Sequence, residues 1–122
     1  MRISRGSDAT LRTDDDPNFT GRADRLALGP ADAIAGAPSG FVVTFHDGAR
    51  TNWHRHAGGQ LLYVLDGAGL VATRGQDPQE IGPGDFVAAA PGEEHWHGAA
   101  PGGTLAHLAI AFGSTDWGEA ST

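Results

Sequence analysis

The chain reads as an all-β protein of one domain, and three observations predict it. Its 122 residues include 19 glycines and 7 prolines, scattered along the chain and not gathered in one linker. Between them lie short runs of Val, Leu, Phe and Ala, the punctuation of many short strands joined by turns. No apolar stripe with i, i+3, i+4, i+7 spacing runs beyond about two helical turns. About eight short strands are expected, closing into a sandwich or barrel.

The elements follow in order. Residues 1–17 read as an N-terminal arm, with Ile3-Ser4 offering a pairing at a sheet edge and the terminus otherwise frayed. Asp14, Asp15 and Asp16 before Pro17 form a solvated loop. Residues 18–28, NFTGRADRLAL, alternate as a strand, and residues 29–40 make a loop with room for one helical turn. The strand-rich body begins with FVVTFH (41–46), ended by Asp47-Gly48, and continues with TNWHRH (51–56) and QLLYVLDG (60–67). GLVATRG (69–75) returns after a tight turn, and QDPQE (76–80) reads as a further turn. FVAAAPG (86–92), HWHGAA (95–100) and TLAHLAIAF (104–112) complete a barrel spanning 18–112. The tail, 113–122, is polar except for Trp117, which is placed to pin it to the body.

Composition excludes several functions. The net charge is −7, from 8 basic and 15 acidic residues, the wrong sign for a nucleic-acid footprint or an anionic membrane. With no cysteine, neither disulfides nor thiolate chemistry can contribute. The N-terminus lacks the apolar core of a signal peptide, and no apolar run reaches the length of a membrane span. A cytoplasmic location is expected. Asn18-Phe19-Thr20 matches a glycosylation acceptor, but nothing else points to secretion.

The chemistry is concentrated in six histidines, His46, His54, His56, His95, His97 and His107. Alternate side chains on a strand share a face. His54 and His56 therefore point the same way with Arg55 opposite, and so do His95 and His97 with Trp96 opposite. Imidazole is the commonest metal-ligating side chain. Gln60 can add an amide oxygen, and a third histidine from EEHWH completes a shell with positions left open for water or substrate. His95 and His97 both qualify as that third histidine. His46, alone at a strand end, reads as a surface or capping residue.

Gly48, His54, His56, Gln60 and Gly67 fit the pattern G-x5-H-x-H-x3,4-E-x6-G position by position, with Gln60 in place of glutamate. Gly84, Pro91, Gly92 and His95 follow a second pattern, G-x5-P-x-G-x2-H-x3-N, with altered spacing before Gly92 and Ala99 in place of asparagine. Together they resemble the two motifs of the cupin superfamily. The resemblance implies a single cupin domain, a double-stranded β-helix or jelly-roll barrel. It favours His95 as third ligand, because His95 keeps the G-x2-H spacing from Gly92.

GARTNWHRHAGGQ, PGEEHWHGAAP and LAHLAI, with DPNFTG upstream, resemble more narrowly the small bacterial manganese-dependent cupin hydroxynitrile lyases. That resemblance implies metal ligation by His54, His56, Gln60 and His95, with His107 as acid/base. It implies reversible cleavage of a cyanohydrin to an aldehyde or ketone and hydrogen cyanide. Four neutral ligands would leave a divalent ion its full charge, which strengthens its pull on a bound hydroxyl. His97 is a second candidate base, or a donor that orients ligands. Strand phase places Phe41, Val43 and Ala111 on the substrate pocket. Mn(II) is the expected metal, with Fe(II), Co(II), Ni(II) and Zn(II) also compatible with such ligands. An iron-dependent dioxygenase or oxidase is the alternative enzyme, and a small-molecule-binding cupin without catalysis is the other class. A homodimer or homotetramer is expected.

Overall fold

The structure, a computed structural model, describes residues 1–13, 16–29 and 34–121. Asp14, Asp15 and part of the expected helical turn lie outside these; residues 34–37 form a turn closed by the Ala37 amide on the Ile34 carbonyl, 3.2 Å. After a 3-10 turn at Gly6–Asp8 come thirteen strands among the described residues. They are β1 (Leu11–Thr13), β2 (Phe19–Thr20), β3 (Ala23–Ala27), β4 (Ser39–Phe45), β5 (Arg50–Thr51), β6 (His54–His56) and β7 (Gln60–Gly67). Then follow β8 (Gly69–Thr73), β9 (Gln79–Ile81), β10 (Phe86–Ala89), β11 (His95–Ala99), β12 (Leu105–Ala111) and β13 (Thr115–Trp117).

Two antiparallel sheets face one another. One has the order β1-β3-β4-β12-β7-β10; the other runs β13-β6-β11-β5-β2, with β8 also on β11 and β9 on β8. Most expected strands stand where their β-formers place them. Three differences have physical reasons. Residues 18–28 split at Gly21, whose φ of +87° breaks the run. Gln79–Ile81, at the end of the expected turn, pairs with β8 as a strand. The arm pairs through Leu11–Thr13 and not Ile3-Ser4, because those residues meet the free edge of β3.

Period-2 burial decides which residues face inward. Along β12 it alternates without a break, with Leu105, His107, Ala109 and Ala111 buried. Phe45, Val64 and Leu105, each at most 1 % exposed, anchor the core with Val43, Ala49 and Ile81. Burying each large apolar side chain contributes about 1.5–3 kcal/mol. Two glycines permit the close packing. A Cβ at Gly98 would lie 2.3 Å from the Arg50 Cβ, so glycine lets β11 lie against β5. At Gly67, φ is +89° and a Cβ would fall 1.9 Å from the Thr104 carbonyl oxygen. No helix among the described residues is long and apolar enough to cross a membrane.

Candidate metal centre

The two His-x-His stretches meet as neighbours. His54 on β6 is the register partner of His95 on β11, and β13 closes the other side of β6 through Thr115–His56 and Trp117–His54. His54, His56, His95 and His97 are all buried, while Arg55 is exposed and bonds Glu94 at 3.0 Å. Gln60 comes from the opposite sheet, at the start of β7, and its Oε1 lies 2.9 Å from His95 Nε2.

The partners of each Nδ1 fix how the rings present themselves. Nδ1 of His54 donates to the Asn52 carbonyl at 2.9 Å, and that of His95 to the Glu93 carbonyl at 2.8 Å. Nδ1 of His56 meets the Thr115 hydroxyl at 2.9 Å. In His54 and His95 the Nε2 lone pair therefore faces inward. His56 Nε2 is buried without a protein partner. His95 Nε2 and Gln60 Oε1 lie side by side, 2.9 Å apart, and each can offer a lone pair to one cation. Ligating nitrogens of His54, His95 and His97 lie within 4.8 Å of one another. The residues present fit a divalent ion bound by neutral nitrogen and oxygen donors.

Burial holds these rings neutral. It lowers His54 to about 3, helped by neighbouring His95, and His56 to about 4, again with His95 second. Burial lowers His95 as well. His97 is driven well below the ordinary value by burial and then by His107, and burial lowers His107 to about 4. At neutral pH every ring in the cluster keeps a lone pair.

His97 takes a different partner from His95. Its Nδ1 lies 3.0 Å from His107 Nε2, across the gap between the sheets, and its Nε2 is buried without a protein partner. The Thr51 hydroxyl accepts the His97 amide at 3.2 Å. Between Ala106 and His107 the register against β7 shifts by one residue, the unpaired residue being Leu65 on β7, so His107 keeps the unbroken inward phase of β12.

A cavity of about 110 Å³ opens onto His54, His56, Gln60 and His97. Phe41, Val43 and Ala111 line it, as strand phase expects. His107 does not: it is fully buried behind His97, against Phe45. Sequence reasoning missed Phe19, Arg25, Thr115 and Trp117, which also line this cavity. Arg25 sits over the Phe19 ring and pairs with Asp16 at 3.0 Å. The Thr115-x-Trp117 alternation was the available signal, in a polar stretch that reads as tail. A larger groove, about 260 Å³, lies between β8 and β10 and touches only His95 of the cluster. His46 is outside the centre and contacts Asp24 at 2.7 Å.

The Cupin domain family matches residues 41–111, more than half the chain and both histidine pairs. The chain is a cupin. Relatives agree. The cupin is 49 % identical over 94 residues to an (R)-mandelonitrile lyase of Granulicella tundricola, covering 75 % of this chain and 70 % of that one. Over 47 residues it is 49 % identical to an acireductone dioxygenase of Rhodopseudomonas palustris, covering 36 % of this chain and 28 % of the relative. A cupin-like protein of Thermotoga maritima superposes with a TM-score of 0.85 at 34 % identity, over 98 % of this chain and 90 % of that one. The named relatives include two kinds of enzyme, and the three-histidine cluster of this cupin suits a divalent metal.

Proposed function

We propose that this cupin is a metal-dependent hydroxynitrile lyase, cleaving a cyanohydrin to an aldehyde or ketone and hydrogen cyanide, and running in reverse. The observation that carries the proposal is the neutral imidazole pair, His97 and His107, bonded at 3.0 Å beside a largely apolar cavity that also receives His54, His56 and Gln60. The likeness to a mandelonitrile lyase over three quarters of the chain supports it.

His54, His56, Gln60 and His95 would hold the metal, with Mn(II) the proposed ion. A divalent ion there supplies Lewis acidity to the substrate oxygen. His97 Nε2 accepts the hydroxyl proton, since it is the basic atom of the pair whose ring lines the cavity. His97 Nδ1 donates to His107 Nε2, so the charge gained by His97 is shared with a buried neighbour. As the carbonyl forms, the bond to the nitrile carbon breaks, and cyanide leaves with the electron pair. The proton on His97 then passes to cyanide, giving hydrogen cyanide and restoring the neutral pair. His107 is in this scheme a positioning residue that acts through His97, whereas the sequence resemblance makes it the direct base. Phe41, Val43 and Ala111 form the apolar wall for the carbonyl substituent.

The test is cleavage of racemic mandelonitrile by manganese-loaded protein without oxygen, following benzaldehyde by absorbance against a chelated control. Metal-dependent release of benzaldehyde is expected. A fully metallated protein that cleaves neither mandelonitrile nor a smaller cyanohydrin would defeat the proposal. The second reading is an iron-dependent dioxygenase, favoured by the short match to acireductone dioxygenase. Oxygen consumption by the iron-loaded protein, with no anaerobic cleavage, would establish it in place of the lyase.

A further inference from the structure

The cavity beside the metal centre has one feature that neither metal binding nor proton transfer uses. Among the described residues that line it, Arg25 alone bears a formal charge, since burial holds the histidines neutral. No carboxylate among them lines it. Register sets the inward placement of Arg25. It pairs with Val43 on β4, and Val43 pairs with His107 on β12. Directly opposed residues share a face, so Arg25 stands on the inner face, two strands or roughly 10 Å from His107. It sits at the mouth of the cavity. Its side chain is 18 % exposed, and its guanidinium lies 5.2 Å from the centre of the Phe19 ring. Asp16 pairs with its Nη1 at 3.0 Å and also accepts the Asn18 amide at 2.9 Å. That ion pair fixes the position of the guanidinium without bringing a carboxylate into the cavity lining.

We infer that Arg25 binds a carboxylate on the substrate, at the end remote from the metal, and so selects anionic substrates. His54, His56, His95 and Gln60 are neutral donors, so a divalent ion held by them keeps its full charge. With Arg25 at the other end, the cavity is then positive at both ends. Phe41, Val43 and Ala111 lie along its wall, and apolar walls screen a charge less than water does. A guanidinium fork matches a carboxylate in shape as well as in charge. The chain's net charge of −7 repels anions at a distance, so the selection is made by local contact. The occupant that fits is an organic acid with an oxygen for the metal at one end and a carboxylate at the other. On the proposed lyase reading, on which this last step rests, it is the cyanohydrin of an oxo-acid. Its carboxylate takes no part in the bond that breaks; it orients the molecule.

Calorimetric titration of the manganese-loaded protein with 4-oxopentanoate and with its methyl ester tests the inference. The two probes share a ketone and differ in the negative charge. The wild type should bind the acid roughly tenfold or more tighter than the ester. Arg25→Gln and Arg25→Met should each bring that ratio close to one, with circular dichroism and metal content as checks on folding. A merely structural arginine would weaken both probes alike and leave the ratio where it was. Gln keeps a polar partner for Asp16 and Met keeps the stem against Phe19, so one variant serves if the other does not fold. A wild-type ratio near one would overturn the inference, and so would a preference that survives the substitutions, since the metal would then be its source. The lyase reading fails separately. Cleavage of mandelonitrile without any preference for the acid would sink this inference alone. A preference lost in the variants of a protein that cleaves no cyanohydrin would uphold the anion site and sink the lyase.

Discussion

The two His-x-His pairs share a motif, a strand phase and a burial, and they differ in what holds each ring. On β6 both rings are anchored from outside, His54 by the Asn52 carbonyl and His56 by the Thr115 hydroxyl. On β11 only His95 is anchored that way, by the Glu93 carbonyl, while His97 gives its Nδ1 to His107. Under the proposed function, the partner of Nδ1 would decide the role of an imidazole here, although the nitrogens of His97 lie as close to those of His54 and His95 as a shared metal needs. A ring held by an outer acceptor presents Nε2 to a metal. A ring held by a second imidazole can take a proton and share the charge.

The sharpest way to break this comparison is to delete one ring from each class. His54→Ala should abolish metal binding and, with it, activity, measured as metal per chain after exhaustive dialysis and as benzaldehyde release. His97→Ala should keep the metal and lower turnover by about 10²–10⁴-fold, the usual share of a general base. His107→Ala should keep the metal too, with a smaller loss and a pH–rate profile displaced from that of the wild type, because His107 acts through His97.

Acid tests the neutrality that both classes share. His54, His56 and His107 titrate near 3, 4 and 4 in the folded chain, below the ordinary 6.5. Between those limits the unfolded chain binds more protons, so stability rises with pH. The urea midpoint of metal-free protein should be highest above about pH 6.5 and should fall progressively as pH drops towards 4 and 3. A midpoint that holds steady across that window would mean that the rings are not buried neutral. Removing an anchor is a gentler test. Thr115→Val leaves His56 in place without its Nδ1 partner, and metal affinity should fall about 10–100-fold, as losses of orienting partners do. The smallest effect is expected at the wall: Phe41→Ala should lower KM for bulky cyanohydrins and leave metal content unchanged.

The histidine pairs were legible because strand periodicity is local. A spacing of two puts His54 and His56 on one face whatever else the chain does, and the glycine framework names the fold. Phe41, Val43 and Ala111 were legible for the same reason. The His97–His107 bond was not, since it joins residues on different sheets and depends on how the two sheets face one another, which no local pattern encodes. Nor was β13. Thr115–Trp117 is three residues in a tail that is otherwise polar, and it is a strand because β6 offers it an edge. Arg25 shares the phase of Phe19, and both line the cavity; alternation alone did not say which face of that run turns inward.

The division of labour is tested most directly by titrating Mn(II) into metal-free His95→Ala and His97→Ala side by side, following the free ion by its paramagnetic resonance. The expected result is one ion per chain in His97→Ala, at an affinity close to the wild type, and a loss of roughly 100-fold or more in His95→Ala. If His97→Ala lost the ion and His95→Ala held it, the third ligand would be His97, and the proton-accepting role assigned to it would be wrong.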